Sequence, residues 1–75
     1  MKTREHSPKK IAQLRELLIK TITNFIDTRG QRVLNLYQAR KEVSQLEDCQ
    51  VVLYCHDSDT LHLAAEMICD LSVAK

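Results

Sequence analysis

The 75-residue chain has one glycine, one proline, no tryptophan, two tyrosines and one phenylalanine. A single glycine, Gly30, leaves no material for a phosphate-cradling loop, and no dinucleotide fingerprint, Walker sequence, HExxH or nucleophile elbow occurs. No apolar run approaches the ~20 residues that a membrane span needs, and the opening MKTREHSPKK is polar where a secretory leader would carry an apolar region. A cytoplasmic protein without a membrane partner is therefore expected. Cys49, Cys55 and Cys69 form no CxxC pair, and an odd count does not suit a closed disulfide framework, so reduced thiols are expected. There is no internal repeat, low-complexity segment or interdomain linker.

What the chain does contain is 44% hydrophobic and 28% charged residues, a globular composition. Its length allows one domain, and a chain this short buries only about 60–65% of its unfolded surface, so a partner subunit would add stability. The formal net charge of +1 conceals an uneven distribution. Residues 1–47 carry ten Lys or Arg against five acids, whereas residues 48–75 carry Lys75 against five acids. Such a two-ended molecule can meet nucleic acid through its basic part, or pair its two parts with each other or with a second copy.

The first helix is announced by Ser7 as N-cap and Pro8 at the first helical position, with Gly30 standing where a left-handed C-terminal cap is wanted. Between them Ile11, Leu14, Leu18, Ile22, Phe25 and Ile26 recur at three- and four-residue spacing, and Leu17 with Ile19 widens that face. QRVLNLYQARKEVSQLED then places Val33, Leu36, Tyr37, Val43 and Leu46 on one side of a second helix. The short link Arg29 to Gln31 predicts that it folds back as an αα-hairpin.

CQVVLYC concentrates β-branched and aromatic residues, which predicts a short strand over about 49–55, with a helical continuation as the competing reading. A lone strand leaves its backbone groups unpaired. Pairing with the same strand of a second chain solves this and predicts a homodimer. HDSD then opens a last helix, capped by Asp57, Ser58 or Asp59, with Leu61, Ala64, Ala65, Ile68 and Leu71 as its apolar stripe and Met67 beside it. The expected fold is mainly α, comprising an N-terminal αα-hairpin, one short strand and a C-terminal helix. Residues 1–6 are expected to be a flexible basic tail and 7–75 a single small helical domain.

VVLYC followed by the polar loop CHDSDT and an Ala-Ala helix resembles the active-site segment of rhodanese-like sulfurtransferases, and IDTR at 26–29 resembles an upstream Asp-x-Arg element of that family. The resemblance implies a strand ending at Cys55 as nucleophile, and a loop whose backbone donors face an anionic sulfur. It covers about 20 residues, and the loop lacks the family's usual glycine or arginine. Asp57 and Asp59 would repel a persulfide and raise a thiol pKa. Cys55, His56, His62 and Cys69 match no zinc spacing, so no metal or cofactor is expected.

With no catalytic constellation legible, the leading expectation is a non-catalytic protein-interaction module of adaptor, chaperone or inhibitor type. It would present the hairpin through Leu14, Leu17, Leu18, Ile19, Ile22, Phe25 and Tyr37 to a protein partner. The alternative is nucleic-acid binding, with Lys9, Lys10, Arg29, Arg32, Arg40 and Lys41, and Lys2 and Arg4 ahead of them, on phosphates. A sulfurtransferase fragment using Cys55 ranks third.

Overall fold

The computed structural model describes residues 7–74; the expected tail, 1–6, lies outside the described residues. Four helices follow in order: α1 (Pro8–Thr23), α2 (Leu36–Ser44), α3 (Asp48–Tyr54) and α4 (Ser58–Ala74). The chain is mainly helical, as expected.

α1 begins as its sequence signals require. Ser7 Oγ accepts the Lys10 backbone N–H at 3.2 Å, and Pro8 sits in the first turn, where its missing donor costs nothing. The helix ends earlier than expected, at Thr23, with Asn24 as C-cap. Thr21 and Thr23 turn their hydroxyls back onto the carbonyls of Leu17 and Lys20, and both are β-branched. Residues 25–33 then double back as a miniature hairpin in which Val33 N–H donates to the Phe25 carbonyl at 3.2 Å and Asp27 N–H to the Gln31 carbonyl at 2.8 Å. The Asp27 carboxylate accepts the N–H groups of Arg29 and Gln31, and Gly30 N–H closes onto the Asp27 carbonyl. Gly30 has φ +82°, so it is the left-handed residue that follows a tight turn, and not the cap of α1.

α2 opens on a reciprocal cap: Gln38 N–H donates to Asn35 Oδ1 at 2.8 Å and Asn35 N–H to Gln38 Oε1 at 3.0 Å. It packs on α1, but through the connection 24–35 and not through the short link Arg29 to Gln31 from which a hairpin was expected. Residues 49–55 correct the strand expectation. Asp48–Tyr54 is helical because Val51, Tyr54 and Cys55 fall at i, i+3 and i+4 and bring one face inward, with Val51 fully buried. Asp48 in the first turn suits the helix dipole, and Glu47 N–H donates to Gln50 Oε1 at 3.1 Å. The β-branched pair Val51 and Val52 is overridden by tertiary packing.

α1 is the spine: α2, α3 and α4 all pack against it. Leu18, Ile22, Ala39, Val43, Val51 and Ala65 are almost wholly removed from solvent, and no polar or charged residue is buried among the described residues. Arg15 ties the spine to its neighbours. Its guanidinium donates to the carbonyls of Val43 at 2.6 Å and Leu46 at 2.9 Å and to Asp48 Oδ1 at 2.9 Å, joining the end of α2 to the start of α3. Glu16 makes a two-pronged pair with Arg40 on α2.

Arg15→Ala should lower unfolding stability by about 2 kcal/mol in urea titration, because two carbonyls lose a charged donor. Asp48→Ala should cost about 0.5 kcal/mol, since that partner is exposed. Equal urea midpoints for wild type and Arg15→Ala would refute this role. A second expectation concerns acid. Asp57 accepts the Thr60 backbone N–H at 2.8 Å, and that bond first, with His56 second, holds its carboxyl below the ordinary value. A lowered folded pKa contributes stability that is present above the unfolded value of about 4 and is lost as pH falls through the folded one. Asp57→Asn keeps a capping oxygen but should flatten this acid limb, as read from thermal midpoints between pH 2 and pH 6.

Candidate functional site

The three cysteines test the chemistry that the sequence raised, and all carry free thiols. Cys55 is the C-cap residue of α3, half-buried, with its Sγ donating to the Leu14 carbonyl of α1 at 3.5 Å. Burial pushes its pKa up, opposite to the shift that activates a nucleophilic thiol. Asp27 of IDTR lies beyond the far end of α1 and spends its carboxylate on its own turn, whereas Cys55 meets the first half of that helix. A strand ending at Cys55, which the sulfurtransferase resemblance implies, is replaced by a helix.

Cys69 is buried on α4 with its Sγ 3.9 Å from the Ile22 carbonyl, and burial, then the nearby Asp70 and Glu66, raise its pKa. Leu14 and Ile22 are eight residues apart on α1, about 12 Å of helix, so the two thiols are held at different levels. His62 lies against the Phe25 ring at 5.0 Å between centroids, and His56 contacts Asp57. Among the described residues no three His, Cys, Asp or Glu side chains are grouped as metal ligands.

The apolar residues expected to meet a partner are divided by the fold. Leu18, Ile19 and Ile22 are buried in the chain's own core; Leu14 and Phe25 are half-buried, Phe25 against that core. Leu17 and Tyr37 remain exposed, Tyr37 at 75%, and Leu17 shares a shallow hollow with Leu36. The nucleic-acid candidates are dispersed in a similar way. Lys9 and Lys10 stand at the start of α1, and Arg29 and Arg32 in the hairpin past its end, about 20 Å of helix away. Arg40 is paired with Glu16 at 2.6 Å, and Lys41 is exposed on α2.

The surface that the sequence did not single out is on α4. Leu63, Met67 and Leu71 are all exposed, at 63%, 42% and 61%, and follow one another at four-residue spacing, so they form one ridge along the helix. Leu71 was expected on the inner stripe, but the helix turns Ala65, Ile68 and Cys69 inward instead. Tyr54, Thr60 and Ala64 complete a shallow apolar hollow against Leu63 and Met67. Asp59, Glu66 and Asp70 recur at seven- and four-residue spacing along one edge of this ridge. Among the described residues, none of these three carboxylates forms an ion pair. The signal was present in LHLAAEMICDLSV, which is apolar over more than one helical face and thus carries more apolar residues than one buried stripe uses.

Burial sets an order of thiol reactivity: Cys49, then Cys55, then Cys69. Iodoacetamide labelling read by mass spectrometry should modify Cys49 at neutral pH, Cys55 more slowly and with a midpoint above that of an ordinary thiol, and Cys69 only on unfolding. Fast labelling of Cys55 at pH 7 would reverse the assignment and restore a nucleophile there. No protein-family model, curated protein or solved structure matches this chain.

Proposed function

We propose that this protein is a non-catalytic, cytoplasmic protein-binding module of adaptor, chaperone or inhibitor type, and that its docking surface is the α4 ridge Leu63–Met67–Leu71 with Tyr54 at its side. The observation that carries the proposal is the ridge itself: three large apolar side chains kept in water at four-residue spacing along two turns of α4. Exposed apolar side chains in a line match the anchors by which helices dock on partner helices. The Cys55 and Cys69 thiols contribute to the packing and the histidines to local contacts, which supports binding over chemistry.

The hairpin face keeps a smaller claim. Leu17, Leu36 and Tyr37 are exposed, but Leu18, Ile19 and Ile22 of that face are buried inside the molecule. Homodimerisation now has no strand in residues 49–55 to build on, so self-association would have to proceed through these same helical faces. Dispersed cations give nucleic acid no single stripe to follow.

Leu63→Ser/Met67→Ser/Leu71→Ser should leave the thermal midpoint nearly unchanged, because exposed positions contribute little to the core. Quantitative affinity purification should then lose the proteins recovered by wild type, while Leu17→Ser/Leu36→Ser/Tyr37→Ser retains them. Loss with the second variant alone would move the interface to the hairpin. Sedimentation equilibrium of both variants beside wild type shows whether a second copy uses either face.

A further inference from the structure

Resting on the reading of the α4 ridge as a docking surface, we propose that its occupant is an amphipathic helix of a partner protein that carries Lys or Arg along one edge of its apolar stripe. The geometry of the ridge sets the shape of the ligand. Leu71 lies eight residues beyond Leu63, about 12 Å along the axis, which two to three turns of a second helix cover with apolar side chains at i, i+3, i+4 and i+7. The hollow bounded by Tyr54, Thr60 and Ala64 beside Leu63 and Met67 receives one larger side chain.

The two edges of the ridge differ, and the difference assigns the charge. On one side Ala64 turns into the core and Tyr54 closes the hollow, so that edge is protein. On the other side Asp59, Glu66 and Asp70 form an acidic row, and no Lys or Arg occurs anywhere in residues 48–74. A partner helix laid on the ridge brings its own flank within a few ångströms of this row, inside the ~8 Å screening length of physiological salt. Cations there are attracted and anions repelled, which fixes the orientation of the partner as well as its class.

The same row argues against a second copy of this chain. In an antiparallel two-fold pairing of α4 with α4, each acidic row maps to the same edge of the interface, and like charges meet along its length. Parallel pairing separates the rows but still sets two segments without Lys or Arg over residues 48–74 against each other.

The test uses the full chain, labelled with nitrogen-15, and two synthetic 18-residue helical peptides. Both share the same Leu pattern; one carries Lys along the flank and its twin carries Glu. The Lys peptide is expected to shift amides of 59–71 and to bind at least about tenfold more tightly than the Glu peptide, with affinity falling as salt rises. Glu66→Gln/Asp70→Asn should erase that preference, and Met67→Ser should weaken both peptides. Equal binding of the two peptides on the ridge would overturn the charge assignment and leave the docking surface standing. Binding of the Lys peptide that ignores Met67→Ser, or shifts only amides elsewhere, would overturn the proposal as bulk electrostatics. Binding of neither peptide would overturn it too, and the surface would then stand or fall on the triple-serine purification. A concentration-dependent dimer whose formation shifts the same amides would name the second copy as occupant instead.

Discussion

The Arg15 guanidinium is the constraint on which the arrangement of the helices depends. α2 and α3 are short, at nine and seven residues, and neither is long enough to hold its place by its own backbone bonds. Where α2 ends, its last carbonyls need donors, and where α3 begins, an acid sits in the first turn. One planar donor group, projecting from the middle of α1, meets the Val43 and Leu46 carbonyls and Asp48 together. A cation at a helix C-terminus also meets the negative end of its dipole. The contact fixes where α3 starts, so it fixes where Tyr54 and Cys55 come to rest: Cys55 against α1, and Tyr54 at the edge of the α4 ridge.

From that arrangement follows the division of apolar surface. α1 has neighbours on α2, α3 and α4, which cover its inner face; Leu18 and Ile22 are fully enclosed, and Leu17 stays exposed. α4 stands at the outside with more apolar residues than the core accepts, so Leu63, Met67 and Leu71 face water. Among the described residues no further element covers them. The acidic row beside the ridge opposes self-adhesion of that surface, and the same charges would select a cationic partner.

The starts of α1 and α4 and the inner face of α1 were legible because they depend on short-range chemistry. Ser7 caps α1 and Asp57 caps α4 through bonds to the third residue onward, as their positions in sequence imply. Leu18, Ile19 and Ile22 were identified as apolar spacing, but spacing alone does not say whether a face meets its own chain or another. The hairpin at 25–33 was hidden because Phe25 and Ile26 continue the helical rhythm, while the turn depends on Asp27 binding amides two and four residues ahead, with Gly30 left-handed. The ridge was hidden because Leu71 and Met67 fit the inner stripe of α4 nearly as well as the outer one, and only the position of α1 chooses between them.

Residues 49–55 show how one backbone requirement has two solutions with different biological meaning. β-branched residues favour an extended chain, whose donors and acceptors would then need a second strand, and the nearest source is another molecule. A helix meets the same requirement within seven residues, and the packing of Val51, Tyr54 and Cys55 on α1 and α4 supplies what local propensity withholds. Backbone satisfaction thus no longer demands a partner. What remains unsatisfied in this fold is side-chain surface, which is less demanding of geometry and more open to choice of partner. That shift, from an obligatory backbone pairing to an optional apolar contact bounded by charge, is why the binding reading centres on α4 and on the chemistry of the helix that would lie across it.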